Sequence, residues 1–290
     1  MSYVVMDRSV EFTKMGNLRF WMMRCLMSRF SYSQIQMYKR CKLQYRYKYI
    51  DKLPAPVPET TASMVIWTTV HLLLERCYEA AQTWTIWTKS KFLNQLELIR
   101  ERKKEQFYYV FTGTLRVGQA WFLCRQYAST YYDQFFWTEW EVLWTETKLQ
   151  FSLTWPEWEQ YQMVGFIDRV DKIWSEQIAL IDYKTWRWLQ TLRQSRKEQL
   201  SLYSYWYDKL YWEEVWQYRW VVYALWSWKA YSIDISRDSL EQVERDYWII
   251  LNEIQTNYFR YQMWWEDCFA PTKGSYCKYC PRKSICPKWN

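Results

Sequence analysis

The chain is 290 residues long and carries 39 basic against 31 acidic side chains, a net charge of +8. That length can bury a full core as one large domain or two small ones, and the basic balance suits a polyanionic partner. No run approaches the ~18 uninterrupted apolar residues of a transmembrane helix, and Asp7, Glu11 and Lys14 interrupt the opening segment where a secretory leader would be apolar.

Residues 1–30 read as an extension of unassigned role. A helix is then predicted, with Ser33 as its N-cap and Gln36 closing a capping box. Ile35, Tyr38, Cys41, Tyr45 and Tyr49 share one stripe of it, and Arg40, Lys42, Arg46 and Lys48 occupy the rest. Pro54, Pro56 and Pro58 make an extended linker. A second helix follows over 63–82, with Trp67, Val70, Leu74, Cys77 and Ala81 on its apolar side. His71, the only histidine, lies at the edge of that stripe. Residues 89–137 look helical and charged, and RERKKEQ at 100–106 reads as a solvated face that could also touch a phosphate backbone. Alternation over 139–153 (Trp140, Val142, Trp144, then Leu149, Phe151, Leu153) fits strands.

The stretch 163–184 is predicted to be a hairpin. Val164, Phe166, Val170 and Ile173 mark one strand, residues 178–181 the other, and the polar 174–177 segment the reversal. Asp168, Asp182 and Lys184 interrupt these apolar runs. A carboxylate in a buried strand is costly unless it is paired or bound to a cation. Asp182 and Lys184, two residues apart, project to the same face, and a hairpin can set Asp168 opposite them. Converging carboxylates make a hard-oxygen site for Mg²⁺ or Mn²⁺. With a lysine alongside, these are the parts of metal-assisted phosphodiester hydrolysis. A helix is predicted over Leu192–Tyr211 that puts Gln199 and Tyr203 on one face. Strands follow at 219–226 and 230–235, and Ser236 or Asp238 is placed to cap a last helix reaching about Asn257.

Eight cysteines, unevenly spaced in a chain this long, suit a reducing cytoplasm better than a disulfide framework. Cys277, Cys280 and Cys286 crowd together near the end, with Pro281 and Pro287 after two of them. Thiolate clusters select zinc or iron–sulfur, and this local spacing does not choose between them. Either needs a fourth ligand; Cys268 is one candidate, while Cys25, Cys77 and Cys124 read as core thiols.

The strings GFIDRVD and IDYKT, with the spacing Asp168-x₁₃-Asp182-x-Lys184, resemble the PD-(D/E)XK nuclease superfamily and its RecB-like exonuclease branch. SYSQIQMYKRCKLQYRYKYIDKLP is similar to that branch's N-terminal helix with its cysteine, VHLLLE to its histidine motif, and QLSLY to its Q-x-x-x-Y motif. The resemblance implies an α/β fold: a central mixed sheet flanked by helices, restriction-endonuclease-like. It implies one nuclease domain over 31–290, with a helical insertion at about 85–138 and a cysteine cluster at 268–290. It further implies that His71, Asp168 and Asp182 hold Mg²⁺ or Mn²⁺, with Glu146 as an additional acid. Lys184, Gln199 and Tyr203 stand beside the reaction, and Arg169 and Asp171 form a structural pair. Cys41 joins Cys277, Cys280 and Cys286 around a [4Fe–4S] cluster, zinc being the alternative. The implied substrate is DNA, as single strands or ends, in repair, recombination or CRISPR spacer acquisition. A partner helicase is also implied, since the chain has no phosphate-binding G-x-x-x-x-G-K-[ST] loop of its own. Two other classes remain open at this stage: a DNA-binding module with an inactive site, and a zinc-clipped interaction protein.

One count is abnormal. The chain has 5 Gly and 23 Trp, where average usage gives about 20 Gly. Trp174 stands in the expected turn and Trp186 just after IDYKT, where the resembling family usually has glycine, as it does at the position of Trp67. Some bacterial lineages read UGA as glycine, and another translation table would write tryptophan at each such codon. Either many of these tryptophans are natural glycines, or the chain is Trp-rich.

Overall fold

A computed structural model describes residues 29–55, 61–111, 117–136, 140–154, 160–174, 177–185, 192–211, 217–264 and 267–289. The expected N-terminal extension up to residue 28, Cys25 within it, and Trp186 lie outside the described residues.

The N-terminal helix starts two residues earlier than predicted. The motif S-x-x-Q occurs twice in overlapping frames, and the first frame caps α1 (Tyr32–Arg40): the Ser31 hydroxyl accepts from the Gln34 N–H, and the Gln34 side chain accepts from the Ser31 N–H. Cys41, with an extended backbone, ends α1 and begins the single turn α2 (Lys42–Tyr45). The predicted stripe is the buried one, since Ile35, Tyr38, Cys41 and Tyr45 all face the core. Helix α3 (Ala62–Gln82) is capped by Thr61. Helices α4 (Lys89–Phe111) and α5 (Val117–Phe135) follow.

The alternating apolar run forms one long strand, β1 (Glu141–Thr154), antiparallel to β2 (Gln160–Trp174). Strand β2 pairs in turn with β3 (Gln177–Lys184), the last partners being Trp174 and Gln177. Helix α6 (Leu192–Tyr211) crosses over, so that β4 (Gln217–Ala224) lies parallel to β3. Strand β5 (Lys229–Ser236) closes the sheet antiparallel, in the order β1-β2-β3-β4-β5. Trp226, predicted as strand, lies in the β4–β5 turn. A short 3₁₀ turn after Ser236 leads into α7 (Leu240–Trp264), which ends seven residues later than expected.

The sheet is packed on both faces. Ile178 and Leu180 of β3 join Leu200, Tyr203, Trp206 and Leu251 on one side; Ala179, Ile181 and Tyr183 join Val70, Leu74 and Tyr131 on the other. A strand buried on both faces reads as a continuous apolar run, which is what 178–181 supplies. The observed fold is therefore the expected mixed sheet between helical layers.

Candidate metal centre and active site

Strand β2 inverts its facing at one residue. Gly165 lies against Trp206 of α6 and Ile167 joins the same core, whereas Arg169, two residues on, bonds Tyr131 of α5 on the opposite side. Asp168 sits at that inversion. Across the ladder, Glu146 lies between the paired Thr145 and Thr147 with a φ of 41°. A left-handed glutamate within a strand is strained, and such strain is characteristic of functional sites.

His71, buried on α3, comes down onto this point. Its Nε2 is 3.0 Å from the Tyr183 carbonyl oxygen, and its Nδ1 is 3.6 Å from both a Glu146 and an Asp168 carboxylate oxygen. Nδ1 has no hydrogen-bond partner although it is buried. Asp168 accepts a hydrogen bond of 2.7 Å from the Tyr183 N–H. Among the described residues, His71, Glu146 and Asp168 are the one group of three such side chains whose ligand atoms all lie within 4.8 Å of one another. Burial, with the Asp182 charge adding, pushes the Asp168 carboxyl up to about 6 against the pull of His71 and Lys184. For His71 burial acts downward, but Asp168 and Glu146 prevail and the imidazole is raised. An orphaned imidazole nitrogen facing two carboxylates is a donor set that fits a divalent cation.

Asp182 and Lys184 are both half-buried, and the ammonium is 2.5 Å from the Asp182 carboxylate. They alternate with Tyr183, so they point to the α6 side while the tyrosine ring enters the opposite core. On α6 the Gln199 amide donates to the Tyr203 hydroxyl at 3.2 Å. Burial pushes Tyr203 up to about 12, with Gln199 easing it and Asp182 and Asp168 adding to it. The predicted residues His71, Asp168, Asp182, Lys184, Gln199 and Tyr203 thus occupy one neighbourhood. Glu146, rather than Asp182, completes the compact triad.

Behind the site lies a buried cation. The Arg169 guanidinium is fully buried, 3.8 Å over the Tyr78 ring, and 2.9 Å from Asp171. It donates to the hydroxyls of Tyr131 at 3.1 Å and Tyr183 at 3.0 Å. The IDRVD string signalled the charges, but only the fold supplies the three tyrosines.

A second group of potential ligands joins the N-terminal helix to the C-terminal turns. Cys41, Cys277, Cys280 and Cys286 line one pocket, together with Lys273, Lys283 and Lys288. The Gly274 N–H donates to the Cys277 sulfur at 3.3 Å. Burial and the other three thiols raise Cys280, against the Arg282 backbone. Cys268 is not among the residues lining that pocket.

The sequence profile of the PD-(D/E)XK nuclease superfamily matches residues 29–287. No curated protein matches significantly. Among solved structures, one described as a putative exonuclease from Eubacterium rectale superposes with a TM-score of 0.51 at 9% identity, covering 96% of this chain and 93% of that one. The structure of SSO0001 gives a TM-score of 0.43 at 14% identity, with 98% of both chains covered. The first of these is a likeness of fold alone. The profile spans nearly the whole chain, and the chain belongs to the PD-(D/E)XK nuclease superfamily.

Proposed function

We propose that the protein is a divalent-metal-dependent deoxyribonuclease of the RecB-like kind, working on single strands or DNA ends. The observation that carries this is the buried His71 Nδ1, without a hydrogen bond, held 3.6 Å from both Glu146 and Asp168 with the Asp182–Lys184 pair beside them. Mg²⁺ or Mn²⁺ bound there would polarise the scissile phosphate and acidify a water. His71 and Asp168 would hold the ion, with Glu146 and Asp182 as further oxygen donors. The Tyr183 main chain fixes His71 through its carbonyl and Asp168 through its N–H. Lys184 places the attacking water and offsets charge on the phosphate, and Asp182 keeps the ammonium at the site. Gln199 and Tyr203 hold the nucleic-acid strand. The exonuclease description of the Eubacterium rectale structure agrees with action on ends.

The four cysteines fit a [4Fe–4S] cluster: four thiols on one pocket, an N–H aimed at one sulfur, and lysines to balance thiolate charge. Such a cluster would supply a structural clip between the first helix and the C-terminal turns. Zinc is the alternative occupant. A role in DNA repair, recombination or spacer acquisition, beside a helicase, follows from the same reading.

The test is cleavage of end-labelled single- and double-stranded DNA with Mg²⁺ or Mn²⁺. Asp168→Ala and Lys184→Ala should each abolish metal-dependent cleavage while the circular dichroism stays unchanged. Undiminished cleavage by either variant would remove that residue from the reaction.

A further inference from the structure

Four non-glycine residues among those described have a positive φ, and two of them are tryptophans: Trp84 at 59° and Trp228 at 56°. A bulky side chain in that region is a true outlier. Trp84 directly follows the C-cap of α3. Its N–H bonds the Ala81 carbonyl at 2.9 Å and the Thr85 N–H bonds the Ala80 carbonyl at 2.9 Å. These are the two hydrogen bonds of a Schellman motif, whose left-handed position belongs to glycine. The Trp84 indole is 90% exposed, so no packing compensates for the strain. Trp228 is the last residue of the β4–β5 turn, where the Ser227 N–H bonds the Ala224 carbonyl at 3.0 Å; its ring makes one loose aromatic contact, with Tyr127 at 5.8 Å between centroids. A left-handed residue closing such a hairpin loop is again glycine's place.

Other tryptophans are packed into the core. Trp206 is fully buried, and a Cβ added at Gly165 would come within 2.7 Å of its ring. Trp220 is buried and its Nε1 donates to the Ser204 hydroxyl at 2.8 Å. Trp121 stacks on Phe107 with centroids 4.0 Å apart. The chain therefore holds two populations of tryptophan, one required by its neighbours and one standing where the backbone requires glycine. The 23 tryptophans also more than cover the shortfall of about 15 glycines against average usage.

We infer that the natural polypeptide has glycine at 84 and 228, through UGA codons read as glycine, and also at 67, where the missing side chain leaves the His71 metal group open. The last position rests on the nuclease reading above. Trp67 lies one helical turn before His71, and its ring is tilted over the imidazole with centroids 4.2 Å apart. An indole there denies that side of the site to water and to phosphate oxygens, both of which metal-assisted hydrolysis must admit. Glycine inside a helix is unfavourable, so a gap at 67 has to serve the site rather than α3. Trp174 is not assigned, because it pairs with Gln177 without a positive φ.

The coding sequence and the native protein test this directly. UGA is expected at 84, 228 and 67, and UGG at 121, 206 and 220. Peptide mass mapping of the protein from its own organism should give glycine at the first three. UGG at 84 and 228, or native peptides carrying tryptophan there, would overturn the inference. UGG at 67 alone would overturn the open-site part. In the chain as written, Trp84→Gly and Trp228→Gly should each raise Tm by about 2 °C, whereas Trp206→Gly lowers it; no gain from either of the first two would count against glycine there. Trp67→Gly should tighten Mn²⁺ binding by calorimetry and raise cleavage at least tenfold, and unchanged Mn²⁺ affinity would sink the access role. Codons, masses and melting decide the glycine assignment even if no DNA is ever cut, so failure of the nuclease reading stays separate.

Discussion

Tyr183 serves the active site with its main chain and the core with its side chain. Its N–H and carbonyl fix Asp168 and His71, while its hydroxyl is bonded by the buried Arg169. The buried guanidinium has its charge paired with Asp171 and one nitrogen bonded to two hydroxyls, while its Nε has no hydrogen-bond partner, so losing a hydroxyl removes one of the few bonds that offset its burial. Tyr183→Phe deletes one hydroxyl from this cage and keeps the ring. It should cost about 1.5–3 kcal/mol of unfolding free energy in urea melts, while metal-dependent cleavage falls less than tenfold, because both contacts to the site are made by the backbone. At this scale the sequence showed its charges well and its strain not at all. Asp168, Asp182, Lys184 and His71 were visible as charged or titratable residues set in or beside apolar runs. Nothing in the letters around Glu146 marks a left-handed residue, since that conformation is imposed by the inversion of the strand across from it.

Elements were legible wherever one period dominated. The 20 residues of α6 match the predicted span, and α3 differs from it by a single residue. Boundaries failed where two local solutions compete, as with the overlapping S-x-x-Q frames at Ser31 and Ser33. The contact of α6 with the sheet was not legible, because a glycine in a strand does not name the ring that will cover it. Gly165 is where they meet: a Cβ there would stand 2.7 Å from the Trp206 ring and 3.1 Å from that of Tyr203. Both rings are held in the core, so neither can yield cheaply. Gly165→Ala should therefore destabilise the fold by about 1–3 kcal/mol, read from denaturant midpoints. Because the displaced helix carries Gln199 and Tyr203, it should also raise KM for DNA more than it lowers kcat.

Across the whole molecule, the residues that the sequence scattered from 41 to 286 meet at two places, the acid–histidine group and the cysteine pocket. If a cluster clips the chain between those positions, closing so long a loop contributes stability. Cys41→Ala should then lose its iron and its aerobic-sensitive colour on elemental and absorbance analysis; undiminished iron would remove Cys41 from the cluster. The net charge of +8 bears on the substrate rather than on the fold. With Asp168→Ala to prevent cutting, affinity for single-stranded DNA should fall as salt rises, the logarithmic slope being about −0.7 per phosphate contacted. A flat salt response would speak against phosphate contacts. The mixed order of the sheet has one more consequence. Strand β3 is zipped to β2 on one side and to β4 on the other, so it has no edge along which to slide. A single residue gained or lost within 177–184 would exchange inside for outside, sending the lysine and its acid into the tyrosine layer and a phenol toward Gln199 and Tyr203. Such a chain could keep a sheet and still lose its chemistry, which makes this short segment intolerant of length changes.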